Sequence, residues 1–147
     1  MQPLANGYTI STETSDMNLA FIHQFLSNSY WAKDIPVETV QKAIEGSIPF
    51  GVFKGKAQVG FARVITDGAT FAYLADVFID EAHRGFGLSK FLMEAVMVHP
   101  RLQNLRRFVL VTRDAHGLYE QFGFTPIHNP ELWMQVHRPD VYEKKDL

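Results

Sequence analysis

Residues 77–92 read VFIDEAHRGFGLSKFL, an apolar strand that runs into Arg84-Gly85-Phe86-Gly87-Leu88-Ser89 and straight on into an amphipathic helix. Such a join turns several backbone N–H groups of a helix N-terminus toward one spot, where the macrodipole adds roughly half a positive charge. Glycines in the turn let the backbone approach an anion with no Cβ in between. The chemistry this pattern suits is the holding of a phosphate or pyrophosphate.

Several glycine motifs hold phosphates, and two of them fail here. A P-loop places Lys and then Ser or Thr directly after its last glycine, whereas Leu88-Ser89 follows Gly87. A dinucleotide turn needs a third glycine where Lys90 stands and an acidic residue ~20 positions on. The residues found there, Leu105-Arg106-Arg107, have the wrong charge. On this stretch alone, a plain strand-to-helix turn with glycines for geometry stays open. Further along comes Ala115-His116-Gly117-Leu118-Tyr119-Glu120-Gln121-Phe122-Gly123-Phe124. With both stretches in this order, the chain from Phe50 to Phe124 resembles the GNAT superfamily of N-acetyltransferases. That family carries Arg/Gln-x-x-Gly-x-Gly/Ala after a strand, then a short helix with Leu-Tyr-x-x-x-Gly-Phe. Ser89 departs from the usual Gly or Ala, but it is small and can donate a hydroxyl to phosphate.

The resemblance implies acetyl-CoA as acyl donor and direct transfer to a primary amine on a small molecule or peptide. By the same resemblance the backbone of Arg84, Gly85, Phe86, Gly87, Leu88 and Ser89 cradles the pyrophosphate. The backbone of Val77, Phe78 and Ile79 pairs with the pantetheine arm where strands splay apart. Thr112 stands where the family often has Asn, so that polar contact falls to Thr112 or Asp114. The family often forms homodimers through its late strands. The alternative from another class is a non-catalytic acyl-CoA sensor or interaction module with the same fold.

Acyl transfer from a thioester to an amine needs a neutral amine, a stabilised oxyanion and a proton for the departing thiolate. An alkyl ammonium with pKa ~10.4 must lose its proton to a base or a water chain near neutral pH. Oriented backbone donors serve the oxyanion. A tyrosine hydroxyl, pKa ~10, can act as general acid toward a thiolate whose thiol pKa is ~8.5. The resemblance puts Tyr119 in that role, with packing on the core as the competing reading. Asp76 is the carboxylate inside the strand before the turn, and burial there would raise its pKa toward that of a base. A capping role, or an ion pair with Arg63 or Arg113, is the equal alternative. Asp67 belongs to a turn and reads as geometry. Tyr30-Trp31 interrupts a helical pattern and is the candidate wall of an acceptor pocket, against a satellite core under a loop. Phe50, His128 and Trp133 are weaker pocket candidates.

The elements that must position these residues follow from periodicity. Tyr8–Ser11 reads as a first short strand, and Asp16 as the cap of a helix with Leu19, Ile22, Phe25 and Leu26 on one face. A second helix starts at Pro36 and stops at Gly46. Strands Phe50–Lys54, Gln58–Thr66 and Thr70–Ile79 follow, with turns at Gly55 and Asp67-Gly68. In the third of these, Phe71, Tyr73, Val77 and Ile79 alternate with Ala72, Leu74 and Phe78, as suits a strand covered on both faces. Leu88, Phe91, Leu92, Ala95 and Val96 make a helical stripe ended by His99-Pro100. Phe108–Thr112 reads as a strand, Ala115–Phe122 as a short helix, and Glu131–Val136 as the last strand, with a loose charged tail from Arg138. The order makes an α+β fold, a mixed, mostly antiparallel sheet with helices on both sides.

With 147 residues, 46% of them hydrophobic and 12 phenylalanines, the chain has the size and core of one domain spanning 1–147. A net charge of −2 argues against nucleic acid as the main partner. The absence of cysteine excludes a disulfide framework, a thiolate zinc site and a cysteine nucleophile. Six histidines without helical i,i+4 pairs do not make a metal site. No apolar run approaches the ~20 residues of a membrane span, and the first residues lack a signal peptide's pattern, so the expectation is a cytoplasmic protein.

Overall fold

The computed structural model describes residues 2–3 and 6–143. A six-stranded sheet runs in sequence order, from β1 (Gln2–Pro3) through β2 (Tyr8–Ser11), β3 (Ile48–Lys54), β4 (Ala57–Thr66) and β5 (Phe71–Ile79) to β6 (Arg107–Leu110). All neighbours are antiparallel except β5 and β6, which are parallel. Helices α1 (Leu19–Ser27) and α2 (Val37–Glu45) pack on one face, around Ile22, Leu26, Val40, Ile44, Phe61 and Phe78. Helices α3 (Leu88–Val98) and α4 (His116–Glu120) cover the other, around Phe50, Val64, Leu74, Phe91, Leu92 and Val96. This is the α+β, two-sided arrangement expected from the sequence.

Local chemistry explains most boundaries. Asn18, rather than the expected Asp16, caps α1: its side-chain oxygen accepts from the Phe21 N–H at 3.1 Å. Asp16 instead sits in a single 3₁₀ turn and accepts from the Ser11 hydroxyl. Pro36 caps α2 and Gly46 ends it. Between β4 and β5, Asp67 Oδ1 accepts from the N–H groups of Ala69 and Thr70 at 2.9 and 2.8 Å, and Gly68 takes φ +73°. The Thr70 hydroxyl and these amides hold the Asp67 carboxyl well below the usual range. Asp67 is thus a turn residue.

Two expected strands are corrected. Glu131–Val136 is not a strand among the described residues: Pro130–Leu132 forms a 3₁₀ turn and the rest is irregular. An alternating apolar pattern makes a strand only where a neighbour supplies ladder hydrogen bonds. The strand expected at Phe108–Thr112 starts at Arg107 and stops at Leu110, and Thr112 turns the chain by accepting from the Ala115 N–H at 3.0 Å. Of the tail from Arg138, expected to be loose, Tyr142 packs against the α1–α2 cluster, and residues 144–147 lie outside the described residues.

The alternation expected along β5 also breaks. Ala72 and Leu74 face α3, but so do Val77 and Ile79, while Phe78 faces α1 and α2. The cause is a bulge: the register passes from Phe61↔Phe78 to Arg63↔Ala75, and Asp76 takes φ +55°. One extra residue flips every later side chain to the opposite face. Opposite the end of β5, Gly60 leaves no room. A Cβ there would stand 2.7 Å from Ile79 Cδ1, 3.1 Å from the Phe78 carbonyl oxygen and 3.2 Å from Val52 Cβ. Gly60→Ala is therefore expected to cost about 1–3 kcal/mol by overpacking; an unchanged midpoint in urea unfolding would refute it.

Candidate active site

The site begins where β5 outruns its neighbour. Strand β6 pairs with β5 only from Phe71↔Arg107 to Leu74↔Leu110, while β5 continues to Ile79. Beyond Leu74 the two strands part, leaving a notch along the β5 segment that holds Val77, Phe78 and Ile79. Phe78 stacks on Phe25 of α1 at 3.8 Å between ring centroids.

At the end of β5 a 3₁₀ turn, Glu81–His83, leads into Arg84–Gly87 and then α3. Arg84 Nε donates to the Ile79 carbonyl at 3.1 Å, tying the turn back onto the strand. Gly85 and Gly87 have φ of +86° and +74°, a region that disfavours any residue with a Cβ. Gly87 is the N-cap of α3, and no side chain caps that end. A Cβ built on either glycine would meet nothing within 4 Å. Beside the turn lies a depression of about 260 Å³ whose lining includes Ile79, Arg84, Gly85, Gly87, Ser89 and Lys90. Two backbone-exposing glycines, an uncapped helix N-terminus and the cations Arg84 and Lys90 suit a di-anionic phosphate group.

Of the residues expected here, Ile79, Arg84, Gly85, Gly87, Leu88 and Ser89 line this depression; Phe86, Val77, Phe78 and Thr112 do not. Phe86 is half exposed and leans on Tyr8. His83, Lys90 and Leu118 line it too and were not foreseen. Lys90 lies within the first turn of α3 and was legible as such; His83 is placed by the Tyr8 hydroxyl, 2.9 Å from its Nδ1, across 75 residues of sequence.

Tyr119 on α4 is 8% exposed, and burial pushes its hydroxyl pKa above the ordinary tyrosine value. Its ring meets Phe124 edge-on at 6.0 Å. No fully buried side-chain oxygen among the described residues lacks a partner, so the Tyr119 hydroxyl, which bonds to none of them, is not fully buried.

Asp76 is not a free carboxylate. Its Oδ2 accepts from Arg63 Nε at 2.6 Å and its Oδ1 from the Trp31 indole N–H at 2.8 Å. Of the ion pairs open in the sequence, the one with Arg63 is formed. Arg63 reaches on to the Ser47 hydroxyl at 3.1 Å. Removing the carboxylate leaves a mostly buried guanidinium unpaired and puts an ordinary residue into a left-handed backbone. Asp76→Ala is expected to lose about 2–4 kcal/mol of stability. Asp76→Asn, which tolerates that backbone and keeps one acceptor, loses less; equal losses in chemical denaturation would exclude this account.

Tyr30 and Trp31 are exposed next to this cluster, their rings edge-to-face at 5.1 Å. The weaker pocket candidates lie elsewhere. Phe50 is fully buried in the core. His128 and Trp133 line a groove of about 710 Å³ beside β6, where Arg107 covers the Trp133 ring at 4.8 Å. Among the described residues, no group of three or more His, Asp or Glu side chains is gathered as a metal site, and no helix is long and apolar enough to cross a membrane.

The parted strands β5 and β6 and the glycine turn at the head of α3 give the frame, and similarity to known proteins gives the family. Residues 18–124 match the model of the acetyltransferase (GNAT) family, and the chain belongs to that family of acyltransferase enzymes. A crystal structure of a candidate acetyltransferase of the GNAT family from Xanthomonas campestris is 53% identical, with a TM-score of 0.91 over 93% of this chain and 97% of that one. A candidate acetyltransferase from Gibberella zeae is 31% identical over 135 residues, 76% of this chain and 75% of the fungal protein. A Clostridium acetobutylicum acetyltransferase solved with acetyl-CoA shares the fold at a TM-score of 0.63 and 13% identity, over 88% of this chain and 94% of that one.

Proposed function

We propose that residues 1–147 act as one acetyl-CoA-dependent N-acetyltransferase domain that passes the acetyl group directly to a primary amine of a small molecule or peptide. The observation that carries this is the glycine turn. At Gly85 and Gly87 the space a Cβ would fill is empty and opens beside the N-terminus of α3. Bound there, acetyl-CoA supplies an acetyl group already activated as a thioester.

The chain's own residues then divide the work. Backbone N–H groups of Arg84–Ser89 hold the pyrophosphate, with Arg84 and Lys90 adding charge. The free edge of Val77–Ile79 offers backbone groups to the pantetheine arm, and Thr112 or Asp114 a polar contact. Tyr119 donates a proton to the departing sulfur; its raised pKa keeps it protonated at neutral pH. Asp76, a candidate base in the sequence, is held by two donors, so its part is to fix the Trp31 ring on the acceptor side while water carries the proton away. Tyr30 and Trp31 wall the acceptor side.

Titration calorimetry tests the reading. Micromolar acetyl-CoA binding that collapses for free pantetheine, with no binding of NAD, is the expected result; absence of binding would reduce the turn to geometry. The engagement of both Asp76 oxygens favours one other reading, a non-catalytic acyl-CoA sensor. Acetyl transfer to any member of a broad amine panel excludes it.

The exposure of Leu132, Met134 and Val136 at alternate positions, beside the free edge of β6, supports a homodimer in which this segment meets a second copy. A monomeric mass at micromolar concentration in light scattering would refute that assembly.

A further inference from the structure

Three elements border the notch on the acceptor side: the bulge of β5, the loop after β6, and the segment between α1 and α2. They meet at Tyr30 and Trp31. Trp31 is bonded to Asp76 of the bulge, and Arg113 from the loop lays its guanidinium 3.9 Å from the Tyr30 ring centroid. Each ring of the pair thus carries one charged partner, but the two partners differ in what they leave free. Asp76 is neutralised by Arg63, the one ion pair among the described residues. Arg113 has no carboxylate within ion-pair distance there, its own neighbour Asp114 included.

Stacking on an aromatic ring uses the face of a guanidinium and leaves its in-plane N–H fork available. That fork matches carboxylate and phosphate oxygens two at a time. Arg113 is exposed, as are Tyr30 at 61% and Trp31 at 43%, so the fork, the aromatic wall and the notch open to the same solvent. We propose that Arg113 is a specificity residue that binds an anionic group of the acceptor, and that the acceptor is a primary amine also bearing a carboxylate or phosphate. The proposal rests on the N-acetyltransferase reading for the amine, but not for the anion.

Binding separates the two. The chain has two tryptophans, so Trp133→Phe leaves Trp31 as the sole indole reporter in the site. In that background, with excess CoA, fluorescence is titrated with 6-aminohexanoate against 6-aminohexanamide, and with O-phosphoethanolamine against ethanolamine. At least one anionic amine is expected to bind tenfold or more tighter than its neutral partner. The two pairs tell carboxylate from phosphate. Arg113→Gln is expected to abolish the difference and Arg113→Lys to retain part of it. Equal affinities within both pairs, no saturable change with any ligand, or a preference that survives Arg113→Gln would each overturn the proposal. Acetylation of the same amines is scored separately. A charge preference without turnover leaves Arg113 in its role and counts against the transferase reading on these amines.

Discussion

Tyr119→Phe should lower acetyl transfer by about 10²-fold while leaving acetyl-CoA affinity nearly unchanged, since a positioned general acid contributes on that scale. Only the hydroxyl is removed. The ring and its contacts with the α3-side core and with Phe124 remain. Because the hydroxyl bonds to no described residue, the fold loses little. Burial raises the Tyr119 pKa, and this has a second consequence. As pH rises past ~10 the unfolded chain ionises its tyrosine before the folded one does, so native stability falls there. In Tyr119→Phe that part of the alkaline loss should disappear. Steady-state kinetics with the best amine, beside calorimetry for acetyl-CoA, decides the main point. Unchanged turnover would leave Tyr119 a packing residue, whatever the stability data show.

The cradle supplies the other large effect. Gly87→Val forces a β-branched residue toward φ +74° at the helix N-cap, where any L-residue is strained by ~1–2 kcal/mol. The new side chain also enters the open space where the phosphates would lie. Acetyl-CoA affinity is expected to drop well over tenfold, while the weak binding of free pantetheine is unaffected. A lowered melting temperature with full acetyl-CoA affinity would show that the turn's glycines serve the backbone alone. Loss of affinity for both ligands would point to collapse of the notch instead.

The turn was legible in the sequence because its requirements are local. Left-handed φ at two positions demands glycine, and the glycines, the strand before them and the apolar stripe of α3 all lie within one short stretch of chain. The same holds for the Asp67-Gly68 turn and for α2 between Pro36 and Gly46. Asp76 shows where that logic ends. Its identity as a carboxylate in a strand left base and ion pair equally open. Two donors settled the geometry, Arg63 from 13 residues away and Trp31 from 45. Nor was Arg113's place over Tyr30 legible, since nothing in either segment names the other.

Sequence by itself determined the run of elements from α1 to α4, the two-sided sheet, the glycine turn ahead of α3 and the family resemblance, because turns, caps and periodic apolar faces express short-range steric and hydrophobic preferences. Only the tertiary structure decided the bulge, the face reversal at Phe78, the capture of Asp76 and the unpaired state of 131–136. Each of these depends on whether a distant strand or side chain supplies the matching donor, acceptor or ladder. That is a property of the packed chain, not of any window of residues.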